Sequence, residues 1–146
     1  MSTKLAAEIK NYDDAASAID RSLATMGLDH VDLMLIHSPQ PWAEFREGEH
    51  FFNGNLEAWR ALEQAYQAGK LRAIGVSNFE RVDLDNLIDN GSVTPMVNQI
   101  LAHVGSTPFD LIDYARSKGI LVEAYSPVAH GALLDNDDVS ALARSR

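Results

Sequence analysis

The chain has 146 residues, of which 46% are hydrophobic and 23% charged, proportions typical of one compact globular domain. A formal net charge of −9 and the lack of a basic stripe argue against a nucleic-acid surface, and no apolar run approaches the roughly 18 residues of a membrane span. Cysteine is absent, which excludes disulfides and thiolate-bound metals, and "MSTKLAAEIK" lacks the apolar stretch of a secretory signal. We therefore expect a cytoplasmic protein that binds neither nucleic acid nor membranes.

The first half of the chain alternates helical and strand patterns. Apolar residues at helical spacing predict a helix over residues 13–26 with Gly27 as its stop. The apolar run "VDLMLIH" predicts a buried strand, and residues 38 to about 54 form the longest irregular stretch. "NLEAWRALEQAYQAGK" then predicts a helix that Asn55 caps and Gly69 ends.

The second half continues the alternation. The runs "LRAIGVSNF", "PMVNQI" and "ILVEAYSP" predict three more strands. Helices are predicted between them at residues 80–90 and in "TPFDLIDYARSKG", where Thr107 is expected to cap, and a last helix at residues 136–144. A further strand is expected to end near Lys4.

The spacing of these elements, roughly 25 to 40 residues from strand to strand, indicates parallel βαβ units. Two closures fit this pattern: a doubly wound sheet and a (β/α)8 barrel. No predicted strand is followed by a G-x-G-x-x-G turn, which disfavours a dinucleotide-binding doubly wound sheet. A full barrel takes about 250 residues, so an α/β fold closed as a TIM barrel would be incomplete, with some five of its eight units, and both closures stay open on spacing alone.

Each predicted strand ends in hydrogen-bonding side chains, and in a parallel barrel these ends share the face where active sites lie. Taken singly, each has a structural explanation, such as a rim histidine, a helix cap or a core aromatic. Their coincidence on five successive strands predicts a site for a polar ligand without naming a chemistry. The residues are Lys4, His37, Ser77 with Asn78, Asn98 with Gln99, and Tyr125 with Ser126.

A metal site is not expected. His30 and His37 are seven residues apart on either side of a turn, and no cluster of His, Asp and Glu has ligand spacing. The carboxylates at Asp13-Asp14 and between Asp135 and Asp138 begin predicted helices, where they suit the helix dipole.

Several stretches together closely resemble the aldo-keto reductase family, in particular its prokaryotic diketogluconate-reductase-like members. They are "TKL", "LDHVDLMLIHSPQPW", "AWRALEQAYQAGKLRAIGVSNF", "PMVNQI" and "GILVEAYSPVAHGALLDN". The resemblance covers essentially the whole chain. It implies that residues 1–146 form a single partial barrel domain, about the third to seventh units of a (β/α)8 barrel.

The resemblance also implies a reaction, the NADPH-dependent reduction of a small-molecule carbonyl substrate. Lys4 and His37 match the family's catalytic lysine and histidine, and Tyr125 matches the aromatic that stacks on the nicotinamide ring. Ser38 and Trp42 fall in the substrate pocket. The other matches are cofactor-binding positions: Ser77, Asn78 and Gln99 at the carboxamide, and Ser126, Leu133 and Leu134 along the pyrophosphate.

The chain also departs from the family pattern. The family's general-acid tyrosine and its aspartate lie before "TKL", whereas Tyr12 follows Lys4 and is not assigned that role. Ser38 stands where the family commonly has tryptophan. We therefore expect little activity from these residues alone and self-association through exposed barrel edges. The alternatives are a catalytically silent NADP(H)-binding protein and a fragment that needs a partner chain.

Overall fold

A computed structural model describes residues 1–145 and shows five strands that alternate with five helices. None of these helices is long and apolar enough to span a bilayer. In chain order the elements are β1 Ser2–Leu5, α1 Tyr12–Met26, β2 Leu33–Ile36, α2 Phe52–Gln67, β3 Ile74–Ser77, α3 Arg81–Asn90, β4 Val97–Leu101, α4 Phe109–Ser117, β5 Leu121–Tyr125 and α5 Asp137–Arg144, with 3-10 turns at Trp42–Glu44 and Ala129–Gly131.

The five strands form one sheet in sequential order, and every neighbouring pair is parallel. The register aligns Lys4 with Leu35, Leu35 with Gly75, and Ser77 with Gln99. Because side chains alternate along a strand, aligned residues lie on one face of the sheet. We call this the inner face, and the opposite face is covered by the helices.

The hydrophobic core lies between the sheet and the helices. Met34, Ile36, Ile74 and Val76 of the strands are fully buried on the helix-covered face, where Trp59 of α2 packs. Side chains of this size each contribute roughly 1.5–3 kcal/mol when buried. The core also contains Ile19, Leu23, Leu62, Leu84 and Leu87.

Most predicted elements are confirmed, and α1 shows why. Its stop Gly27 has the left-handed φ of +64° that glycine adopts without strain, and its backbone N–H closes the helix on Ala24. Asn136 caps α5 through a side-chain oxygen that accepts from the Val139 N–H.

Two predicted helix caps are wrong. Asn55 lies inside α2, which begins earlier at Phe52, and the Asn55 side chain donates to the carbonyls of Pro39 and His50 instead. The Thr107 hydroxyl donates to the His103 carbonyl, α4 begins only at Phe109, and its N-cap residue is Pro108, with no side-chain cap bond. In both places the side chain forms hydrogen bonds to carbonyls outside the helix instead of capping it.

Candidate active site

The register brings five of the predicted site residues to one edge. Lys4, Ser77, Gln99 and Tyr125 lie on the inner face, because Ser77 aligns with Gln99 and Leu101 with Tyr125. His37 follows β2 directly, two residues after Leu35 of the same face. All five stand at or near the carboxyl ends of parallel strands, which we call the carboxyl edge. The parallel register therefore places these five residues at the same end of the sheet.

Asn78 joins three of the strands by hydrogen bonds. Its amide nitrogen donates to the His37 carbonyl at 3.0 Å and to the Ser77 hydroxyl at 3.2 Å. Its amide oxygen accepts from the Tyr125 hydroxyl at 2.6 Å, and Ser77 donates to the Gln99 carbonyl at 2.9 Å. Asn78 is 7% exposed, so this network is largely shielded from water.

Backbone conformation at the carboxyl edge is unusual at two positions. Asn78 and Ser126, each directly after a strand, have φ values of +62° and +53°. Asparagine tolerates this left-handed region better than most residues, whereas serine is less often found there. Such conformations persist where surrounding contacts enforce them and often mark functional sites. At Asn78 the enforcing contacts are the hydrogen bonds just described.

The environment of His37 favours a neutral imidazole. Burial lowers the pKa of His37 below its usual value of 6.5, the nearby Lys4 cation lowers this pKa further, and the Glu8 carboxylate opposes both. The Trp42 indole packs edge-on against the imidazole, with 4.9 Å between ring centroids and 89° between planes. A neutral imidazole at physiological pH can donate one hydrogen bond to a carbonyl oxygen.

The side chains of Asn98 and Gln99, adjacent residues of β4, lie on opposite faces of the sheet. Asn98 is fully buried on the helix-covered face and donates to the Phe79 carbonyl, so it supports the turn after β3. Gln99 is partly exposed on the inner face, and among residues 1–145 its side-chain amide has no hydrogen-bond partner. Of the two amides, only Gln99 is therefore available to a ligand on this face.

Other predicted site residues stand apart from this network. Ser38 is fully buried, and its hydroxyl accepts from the Gln40 N–H, so it shapes the loop but offers no exposed surface to a ligand. Ser126 follows Tyr125, with its hydroxyl 3.5 Å from the His130 imidazole. Leu133 is partly buried and Leu134 is 70% exposed in the segment between β5 and α5.

The open groups at the carboxyl edge suit a nicotinamide in two respects. A carboxamide both donates and accepts hydrogen bonds, and the unpartnered Gln99 amide offers the complementary pair. The partly buried Tyr125 ring provides an aromatic surface beside it. Asn78 is less available, because both of its amide protons and one side of its oxygen are already engaged.

Sequence reasoning missed a partly buried polar cluster next to the loop that follows His37. Lys10 donates to the Ser38 carbonyl and to the Asn55 side chain, and His50 lies 3.0 Å from Asp83. No periodicity signals this cluster, since it joins loops far apart in the chain.

Comparisons with known proteins agree with one another. The aldo/keto reductase family model matches residues 1–145. The chain is 38% identical over 143 residues to a glyoxal reductase of Bacillus subtilis, covering 98% of this chain and 48% of the relative. It is 40% identical over 127 residues to a morphine 6-dehydrogenase of Pseudomonas putida, covering 86% and 39% respectively. The chain thus spans about half the length of the curated relatives it matches.

Solved structures show the same relationship. An aldo-keto reductase from a Medee basin deep-sea metagenome library superposes with a TM-score of 0.88 at 34% identity, over 99% of this chain and 51% of that one. A Bombyx mori aldo-keto reductase in complex with NADP gives 0.80 at 33% identity, over 99% and 50%. These neighbours are (β/α)8 barrels, so the five-stranded sheet is part of such a barrel.

Proposed function

Because this chain belongs to the aldo/keto reductase family, we propose that its residues form part of a barrel active site that reduces aldehydes or ketones with NADPH. The observation that carries the proposal is the convergence of Lys4, His37 and Gln99 on one edge of the inner face. A relative named for glyoxal reduction supports the reaction class, and a neighbour crystallised with NADP supports the cofactor. The proposal treats residues 1–146 as one partial barrel domain in the cytoplasm.

NADPH supplies a hydride to the carbonyl carbon, and a proton on the oxygen completes the alcohol. In the proposed mechanism the neutral His37 donates a hydrogen bond to the carbonyl oxygen and so fixes its direction. The Lys4 ammonium lowers the pKa of a neighbouring phenol, as a nearby cation favours the phenolate. That phenol is the general-acid tyrosine implied by the family resemblance. The proposal gives that role to none of these 146 residues and assigns proton delivery to a group outside them.

The remaining predicted residues hold the cofactor in this proposal. The Gln99 amide binds the carboxamide, together with Ser77 and with Asn78 once the bond from Tyr125 is exchanged. Tyr125 then stacks on the ring. Ser126, Leu133 and Leu134 flank the pyrophosphate, and Trp42 walls the substrate pocket with Ser38 behind it.

Fluorescence titration with NADPH tests the cofactor site. Trp42 lies beside His37, and the dihydronicotinamide group absorbs at the wavelengths where tryptophan emits, so binding at the carboxyl edge quenches Trp42 emission. Gln99→Ala is expected to weaken binding about tenfold, the effect of losing roughly 1.4 kcal/mol of hydrogen bonding. Gln64→Ala, a matched change on the exposed surface of α2, leaves binding unchanged. The proposed cofactor site is contradicted if NADPH quenches Gln99→Ala and Gln64→Ala equally, or if it does not quench the wild-type protein.

Turnover by the isolated chain tests the division of roles. With NADPH and a small aldehyde, the 146 residues alone are expected to bind cofactor with little or no reduction, because the proton donor is absent. Rates approaching about 1 per second, the order of an ordinary enzyme, would show that the chain carries its own general acid.

A further inference from the structure

A partly buried lysine joins two loops next to the candidate site. Lys10 lies in the loop between β1 and α1, and its ammonium donates to the Ser38 carbonyl at 2.9 Å and to the Asn55 side-chain oxygen at 2.8 Å. Asn55, 1% exposed, donates to the Pro39 carbonyl at 2.8 Å and to the His50 carbonyl at 3.0 Å. These four bonds hold both ends of the loop at residues 38–51, which we call the β2–α2 loop.

The packing around this pair is tight. A methyl group added at Gly54 would lie 2.8 Å from both the Cβ and the carbonyl oxygen of Lys10, distances that real contacts do not show. The first turn of α2 is therefore pressed against the Lys10 backbone. The far end of the loop is held in addition by His50, 3.0 Å from the buried Asp83 of α3.

The β2–α2 loop carries Trp42, whose own contacts are few. Trp42 is 43% exposed and touches the His37 ring edge-on, with Phe45 at 5.2 Å between centroids. Its backbone N–H reaches the Glu8 carboxylate only at 3.5 Å, the limit of a hydrogen bond. The position of the indole over His37 therefore depends on how the two ends of the loop are held.

We propose that Lys10 and Asn55 are positioning residues that fix the β2–α2 loop so that Trp42 stays against His37 and shapes the entrance to the candidate site. The part that concerns substrate entry rests on the proposed function. The part that concerns loop position stands on the contacts above.

Electrostatics supply a readout that a purely structural role would not move. Burial lowers the pKa of Lys10 to about 8, while Glu8 in its own loop and Asp83 of α3 raise it; His50 also contacts Asp83. In a released loop the amine is solvated and its pKa returns toward 10.5. Between about pH 8 and pH 10.5 the docked loop therefore binds fewer protons at Lys10 than the released loop does. A rise in pH through this interval shifts the equilibrium toward the docked loop.

The test is collisional quenching of Trp42 by acrylamide in the chain without cofactor or substrate. Trp59 is fully buried, so acrylamide quenches its emission little, and Trp42→Phe measures that constant contribution. In Lys10→Met and Asn55→Ala the quenching constant is expected to rise about twofold, because the ring goes from 43% exposed toward full exposure. Lys70→Met removes a surface lysine paired with Asp20 and leaves the constant unchanged.

In wild type the quenching constant is expected to fall between pH 7 and pH 9.5, and in Lys10→Met this pH response disappears. Unchanged quenching in Lys10→Met, or the same pH response in that variant, overturns the proposal. If both variants fail to fold, the wild-type pH profile decides alone, and a flat profile overturns it. Failure here is separate from failure of NADPH binding, since no ligand is present.

Discussion

A nearby cation and a nearby anion move the pKa of His37 in opposite directions. Burial and Lys4 lower this pKa, whereas Glu8 raises it. The native protein therefore binds fewer protons at this imidazole than the unfolded chain does between the lowered pKa and 6.5. In that interval the free energy of unfolding rises with pH, and this stabilisation is absent at more acidic pH.

Proton NMR titration of the histidine ring measures this balance. We expect His37 to titrate below 6.5, Lys4→Met to raise its pKa because a like charge is removed, and Glu8→Gln to lower it further. Lys70→Met, a charge-matched change at a lysine paired with Asp20, should not move it. If the pKa of His37 is unchanged in both Lys4→Met and Glu8→Gln, then these two groups do not face the imidazole.

At the scale of the elements, β3 depends on a glycine. Gly75 lies on the inner face between β2 and β4, and a Cβ there would lie 2.5 Å from the Val97 carbonyl oxygen and 2.8 Å from the Leu35 side chain. The backbone contact cannot be relieved by a side-chain rotation. The close approach of these strands therefore requires a residue without a side chain at this position.

Urea denaturation of Gly75→Ala tests this requirement. The substitution should lower the free energy of unfolding by about 2–3 kcal/mol, the upper range for overpacking a core. Gly27→Ala is the comparison, since nothing lies within 4 Å of its Cβ and only the left-handed φ of +64° is strained, at a cost of about 1 kcal/mol. Equal losses in the two variants would show that β3 moves to accept the methyl group.

Elements with local signals could be predicted from sequence, and those decided by distant contacts could not. Gly27 acts within its own helix, so its role as a helix stop could be predicted from the sequence. Asn55 looks like a cap, but its partners Pro39 and Lys10 are brought to it only by folding. Strand periodicity placed both Asn98 and Gln99 near a strand end, and the family resemblance preferred Gln99; the sheet register then puts Gln99 on the inner face.

Within residues 1–145 the inner face is exposed along the two outer strands, β1 and β5, whereas Leu35 and Val97 between them are buried. Leu121 of β5 lies on this face and is 67% exposed, and β1 and β5 each pair with one neighbour only in this part of the chain. Exposed strand edges and apolar patches favour association with other chains. Further exposed apolar side chains are Val104, Phe109, Val128, Leu134 and Leu142.

Light scattering coupled to gel filtration tests the association that we expect. The isolated chain should show a mass above 16.0 kDa that grows with concentration. Leu121→Glu places a charge on the exposed inner face and should shift the population toward monomer, because burying an unpaired carboxylate at a contact is unfavourable. Leu28→Glu, at a 37% exposed leucine after α1, should leave the mass distribution as it is. A 16.0 kDa monomer at every concentration, with one cooperative melting transition, would contradict association through this face. It would also show that five βα units are stable with their inner face in water.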